Sequence, residues 1–147
     1  MKLLFASYRL SSYFYKIGFK GLSKIIDVIN LFIFKSYVPG SVKIGHGSVF
    51  AYGGIGMVIH ANATIGDNCI IGQGITIGGR SRLPDVPKIG NEVYLGAGCR
   101  ILGPIVIGDN VVIGPNAVIL KDVPSGSIVV GIPGRIVKSN IVMRDFI

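Results

Sequence analysis

The chain is 147 residues long, enough for one domain and too short for two ordinary ones. Half of its residues are hydrophobic and only 15% are charged, which excludes a disordered polymer. Twenty-two glycines, about twice the usual share, come with 24 isoleucines, 16 valines and no proline period, which excludes collagen and points to many short strands separated by turns.

The net charge of +8 is unevenly spread: residues 1–35 hold six bases against Asp27 alone, whereas the remainder holds nine bases and six acids. No nucleic-acid-binding motif accompanies this charge, so no nucleic-acid partner is expected. Two cysteines are too few for a disulfide framework or a zinc site, and no metal is expected.

Residues 1–37 read as a basic helical arm. Leu3, Leu4 and Tyr8, then Ile17, Leu22, Ile25, Ile26, Ile29 and Ile33, recur at helical spacing, and Gly18 and Gly21 separate two segments. The mean hydropathy of +0.62 raises the question of a membrane span. The longest apolar stretch, residues 25–34, is broken by Asp27 and Asn30 and is far short of the roughly 18 to 20 residues a spanning helix needs. The first residues carry no cleavage site of small residues, so a cytoplasmic protein is expected. The arm reads either as a cap over the end of the next domain, packed there or on a neighbouring subunit, or as a peripheral contact with the inner face of a membrane. Val38, Pro39 and Gly40 form the linker.

Residues 38–124 carry a six-residue repeat. Ile65-Gly66, Ile71-Gly72 and Ile77-Gly78 are followed in phase by Ile89-Gly90, Leu95-Gly96, Ile107-Gly108 and Ile113-Gly114, while Ile101 and Ile119 fill slots without the glycine. A second apolar column lies four residues after each: Cys69, Ile75, Val93, Cys99 and so on to Val123. That column stands two residues before the next hexad's first residue, so by the strand period both columns face inward. The glycine supplies a tight turn or an unusual φ. Each hexad is one short strand and a corner, and three hexads make one coil of a triangular solenoid whose coils hydrogen-bond to one another. Cys69 and Cys99 read as core residues before they read as nucleophiles.

Two places break the register. Phe50 and Ile59 are nine residues apart where six are expected, across Ala51-Tyr52-Gly53-Gly54-Ile55-Gly56. Between Ile77 and Ile89, Pro84 takes the glycine slot and Pro87 the inward slot, and proline donates nothing to a ladder. Residues 80–88 are therefore expected to leave the solenoid as an extruded, charged loop. Residues 125–147 form a tail.

Three motifs add chemistry: Ile77-Gly78-Gly79 before the loop, Leu95-Gly-Ala-Gly-Cys-Arg-Ile-Leu-Gly103, and Val130-Gly-Ile-Pro-Gly-Arg-Ile-Val-Lys138. In this order, over residues 38–140, they resemble the hexapeptide-repeat acyltransferases, in particular the serine acetyltransferase-like branch, which includes O-acetyltransferases of surface polysaccharides. The resemblance implies an all-β solenoid wound as a left-handed parallel β-helix, a homotrimer, and transfer of an acetyl group from acetyl-CoA to a hydroxyl of serine or a sugar. It places acetyl-CoA between two subunits, its pantetheine arm along small residues after the hexad glycine, here Gly79, Ala97 and Pro115, beside Gly78. Arg135 and Lys138 are then candidates to meet the nucleotide phosphates, or are solvated tail charges. The helical domain that precedes the solenoid in serine acetyltransferases is replaced by some 36 residues.

In the family, one histidine in the first register break removes the acceptor's proton and a second lies in the loop. Those positions are Gly53 and Val86 here, and the only histidines are His46 and His60. His60 takes a glycine slot one coil below Gly78, a few residues past the break, where an imidazole suits a general base. Tyr52 and Asp85, one in each break, are candidates to position the acceptor. The missing histidines leave a second reading open, a non-catalytic trimeric scaffold or interaction protein. A zinc site of the carbonic-anhydrase kind on the same fold would need three converging histidines.

Overall fold

The structure is a computed structural model that describes residues 3–146. Two helices, α1 (Leu3–Lys16) and α2 (Lys20–Phe34), precede a stack of short strands. Coil one holds β1 (Lys43–Ile44), β2 (Val49–Phe50) and β3 (Val58–Ile59); coil two holds β4 (Thr64–Ile65), β5 (Ile70–Ile71) and β6 (Thr76–Gly78). Coil three holds β7 (Lys88–Ile89), β8 (Tyr94–Leu95) and β9 (Arg100–Leu102); coil four holds β10 (Val106–Ile107), β11 (Val112–Ile113) and β12 (Val118–Ile119). Then β13 (Ile128–Val130) extends the second face and β14 (Arg135–Lys138) returns antiparallel beside it. The strands stack into three parallel faces, β1-β4-β7-β10, β2-β5-β8-β11-β13 and β3-β6-β9-β12.

The register departs from the coil length at two places. Ile89 pairs with Ile107 and Leu95 with Ile113, 18 residues per coil. Phe50 pairs with Ile71, three residues more, and Ile65 pairs with Ile89, six more. A whole hexad has therefore left the ring between β6 and β7. The inward columns form one core, in which Ile71, Ile77, Cys69, Cys99, Leu95 and Ile101 are fully buried.

The structure corrects the expected reason for the hexad glycines. Positive φ falls two residues later, at Asn68, Gly74, Glu92, Gly98, Asn110 and Asn116. The hexad glycine is required by close approach: a Cβ on Gly72 would stand 2.7 Å from the Ala97 nitrogen, and one on Gly96 would stand 2.6 Å from the Pro115 nitrogen. On the edge between the first and second faces the side chains continue the ladder. Asp67 Oδ1 accepts from the His46 amide at 2.7 Å, Asn91 Oδ1 from the Asp67 amide at 2.8 Å, and Asp109 Oδ1 from the Asn91 amide at 2.6 Å.

Coil one has no coil beneath it, and α1 supplies the missing donors. Tyr8 Oη donates to the Val42 carbonyl at 2.8 Å, and the Arg9 guanidinium donates to the carbonyls of Ile44 and Gly45 at 3.0 and 2.7 Å. Phe5 meets Phe50 edge-on at 5.0 Å between ring centres. The linker adds Tyr37, whose amide donates to the Met57 carbonyl and whose carbonyl accepts from the Ile59 amide.

Gly96→Ala should lower stability by about 1–3 kcal/mol, because the added methyl meets backbone that cannot move. Gly21→Ala, in α2 with open space around its Cβ, should raise it by up to about 1 kcal/mol. Urea unfolding followed by circular dichroism measures both.

Candidate active site

The edge between the third and first faces carries four of the nine predicted residues, His60, Gly78, Gly79 and Asp85. His60 follows β3, Gly78 ends β6, and the His60 amide donates to the Ile77 carbonyl at 2.8 Å, which locks the two corners one above the other. With Tyr37, Val58, Ala61 and Thr76 they line a shallow, mostly apolar depression of about 250 Å³. This edge tolerates a side chain where the other two demand glycine: a Cβ on Gly78 would meet nothing nearer than Leu102 Cδ2 at 3.8 Å.

His60 is exposed and its Nδ1 accepts the Asn62 amide at 3.2 Å. A neutral ring held this way carries its proton on Nε2, which leaves that nitrogen as the donor. No carboxylate hydrogen-bonds the ring among the described residues. The sequence offered no signal for this, because the bond is made by a backbone amide two residues on.

The extruded loop leaves from the same edge. Its root is a turn in which the Leu83 amide donates to the Arg80 carbonyl at 3.0 Å, with Arg82 at φ 72°. Arg80 lies across Gly103, whose absent Cβ would stand 2.9 Å from Arg80 Cδ. Val86 is buried, whereas Asp85 faces the higher coils, beside Lys88, Pro104, Ile105 and Val106. His60, Gly78, Gly79 and Asp85 thus share one edge, with His60 toward its base and Asp85 toward its middle.

Tyr52, Ala97 and Pro115 lie on the edge between the second and third faces. Tyr52 is held at φ 51° with its side chain 70% exposed. Within one chain β3 separates Tyr52 from His60, so the structure does not bring the two together. Ala97 and Pro115 stack directly over Gly72 and Gly96. One coil below Ala97, in the same slot after a hexad glycine, is Gln73, which the sequence hid because the family resemblance drew attention to small residues there: its Oε1 is buried with no hydrogen-bond partner among the described residues. His46 stands apart, on the edge of the carboxamide and carboxylate ladder.

In the tail, Arg135 pairs with Val130 and Lys138 with Ile128, with a register shift between them. Plain alternation would set residues 135 and 138 on opposite sides of the strand; the bulge returns both to one side. Arg135 lines a groove of about 480 Å³ with Leu120, Lys121, Asp122 and Pro133 at the open end of the solenoid. Lys138 is turned onto the Phe146 ring, its Nζ 4.7 Å from the centre.

Residues 57–83 match the family model of the hexapeptide repeat of succinyl-transferase, and residues 87–121 match that of the bacterial transferase hexapeptide (six repeats). The whole chain is similar to serine acetyltransferase from Brucella abortus strain S19, at 32% identity and a TM-score of 0.86 over 92% of this chain and 55% of that one. A structure of serine acetyltransferase from the same strain in complex with coenzyme A gives 31% and 0.87 over 92% and 54%. Serine acetyltransferase from Neisseria gonorrhoeae gives 31% and 0.87 over 94% and 55%. The chain belongs to the hexapeptide-repeat transferase family. It spans a little over half the length of these relatives, and no curated protein matches its sequence. The likeness also gives the hand of the solenoid, a left-handed parallel β-helix.

In this hexapeptide-repeat protein the cysteines are held out of chemistry. Burial pushes the Cys69 thiol above its ordinary range and the Cys99 thiol up to about 12, the latter against the opposing pull of Arg100. Both are therefore protonated thiols at neutral pH. A folded thiol that stays protonated where the unfolded one ionises stabilises fully below the unfolded value. That contribution fades as pH rises from about 9 toward about 12. Native protein should therefore resist iodoacetamide at both positions, read by mass, and Cys99→Ala should flatten the alkaline fall in stability.

Proposed function

We propose that the chain is an acetyl-CoA-dependent O-acetyltransferase that acts as a homotrimer on a hydroxyl-bearing small molecule, serine or a sugar of a surface polysaccharide. The observation that carries this reading is the likeness, at 31% identity over 92% of the chain, to a serine acetyltransferase structure that contains coenzyme A. Two features of this chain support it. The stacked Ala97 and Pro115 leave a backbone-lined edge with room for a narrow arm. The orphaned Gln73 Oε1 beside it is an acceptor that an amide N–H of such an arm would satisfy. In a trimer this edge faces the His60 edge of a neighbour, so that Gly78, Gly79 and Asp85 of one subunit confront Ala97, Pro115 and Tyr52 of the next. Arg135, on the tail at the far end, meets the phosphates, and Lys138 joins it on leaving the Phe146 ring.

The acceptor oxygen attacks the thioester carbonyl carbon, its proton passes to His60 Nε2, the carbon–sulfur bond breaks and the thiolate leaves as CoA after taking a proton. For this the Asn62 bond opens and the ring proton moves to Nδ1. The observed Nδ1 bond favours a second role in which Nε2–H donates to the oxygen that gathers charge at the carbonyl.

Incubation with acetyl-CoA and a panel of serine and sugar acceptors should release free CoA; no release with any acceptor, together with no CoA binding by calorimetry, overturns the reading. His60→Ala should lower the rate about 10²- to 10⁴-fold with CoA binding intact. His60→Gln separates the roles. It falls as far as alanine if His60 takes the proton, and recovers part of the rate if His60 only donates a hydrogen bond.

A further inference from the structure

The helical hairpin is built inside out. Between its helices it buries Ser11, Ser23, Asp27 and Asn30. Ser11 Oγ donates to Asp27 Oδ1 at 2.6 Å, Ser7 Oγ donates to Asn30 Oδ1 at 2.7 Å, and the Gly40 amide closes the cluster on Asp27 Oδ2 at 3.3 Å. With the inner stripe of α2 polar, most of its apolar side chains face out, Ile26 and Phe34 being half-buried. Leu22, Ile25, Ile29, Phe32 and Ile33 recur on one side of the helix, all exposed, Phe32 at 69%. In α1, Leu3, Leu10 and Tyr13, continued by Ile17 just past its end, make a second exposed stripe on the side opposite the residues that pack on coil one. An unpartnered apolar face of this extent on a soluble domain marks a contact surface.

Charge selects the occupant. Lys16, Lys20, Lys24 and Lys35 are exposed around the hairpin, and its one acid, Asp27, is buried. A second copy of this face would bring like charges together, whereas an anionic bilayer surface offers apolar depth under a negative plane. No helix among the described residues is long and apolar enough to cross a membrane, so α2, about 22 Å long at 1.5 Å per residue, would lie in the plane of the interface. We propose that the exposed apolar face of the α1–α2 hairpin docks the protein onto a bilayer of anionic phospholipid, through Leu22, Ile25, Ile29, Phe32 and Ile33 with the surrounding lysines. This goes beyond the acetyl-transfer reading and is independent of it.

The test is co-sedimentation of the full chain with vesicles of phosphatidylcholine, with and without phosphatidylglycerol. The protein should sediment with the anionic vesicles, less so as salt rises, and stay in solution with phosphatidylcholine alone. Ile25→Asp together with Phe32→Asp should cut the bound fraction about tenfold or more, with the circular dichroism spectrum unchanged because both side chains are exposed. Lys20→Glu together with Lys24→Glu, which leaves the apolar face intact, should abolish the preference for anionic vesicles. Failure of the full chain to bind anionic vesicles at low salt overturns the proposal, as does binding by both variants equal to the parent. So does a fall in sedimentation mass of the Ile25→Asp/Phe32→Asp protein with vesicle binding unaltered, which assigns the face to a second copy of the chain.

Discussion

The Gly96 amide donates to the Ile113 carbonyl at 2.8 Å, and the same bond recurs from Gly72 to Leu95, Gly90 to Ile107 and Gly114 to Val129. These bonds hold successive coils so close that, at two of the three edges, a Cβ on the hexad glycine would overlap the coil above. The spacing sets what each edge can carry. Two edges are confined to glycine followed by a small or polar residue. The third, where the loop leaves, has room for His60, Leu102 and Leu120. The third edge can therefore carry a side chain at the glycine slot itself, as it does at His60, whereas the other two carry theirs one residue later, as at His46, Gln73 and Ala97. A neighbouring subunit that sets one kind of edge against the other joins the two arrangements.

The same dependence explains the N-terminal arm. A stack of hydrogen-bonded coils ends in carbonyls with no partner, and each unsatisfied group costs free energy if it is covered without a donor. Tyr8 and Arg9 reach the carbonyls of Val42, Ile44 and Gly45 from α1, so this helix is fixed by the ladder it finishes. The second helix has no such duty. It is tied to the first by Ser23, Asp27 and Asn30 and touches the core only at its end, through Phe34.

The six-residue period made the core legible, because inward side chains repeat at a spacing the ladder enforces: Ile65 through Ile119 and Cys69 through Val123 stand where the two columns placed them. The loop was legible too, since Pro84 and Pro87 remove donors that a strand needs. Other features hid in contacts between residues far apart in sequence. The glycines looked like turn formers, yet their purpose is clearance, visible only once Gly72 lies under Ala97. The Asp67, Asn91 and Asp109 ladder has no local signature, and the bulge that sets Arg135 and Lys138 on one side of β14 inverts what alternation predicts. In α2 the apolar spacing gave the helix correctly but not its orientation, because periodicity says which residues share a face and not which face is covered.

The loop between β6 and β7 removes one whole hexad, so the chain rejoins the ring with Ile89 over Ile65 as though nothing had been inserted. A change in the length or composition of residues 80–85 falls outside the ladder, which resumes at the Pro87 carbonyl as it accepts the Thr64 amide. The segment behaves as an exchangeable cassette on a fixed chassis. Selection can rewrite what this edge recognises without renegotiating the stability of the coils, and a chimera that carries a relative's loop in place of this one inherits the same immunity.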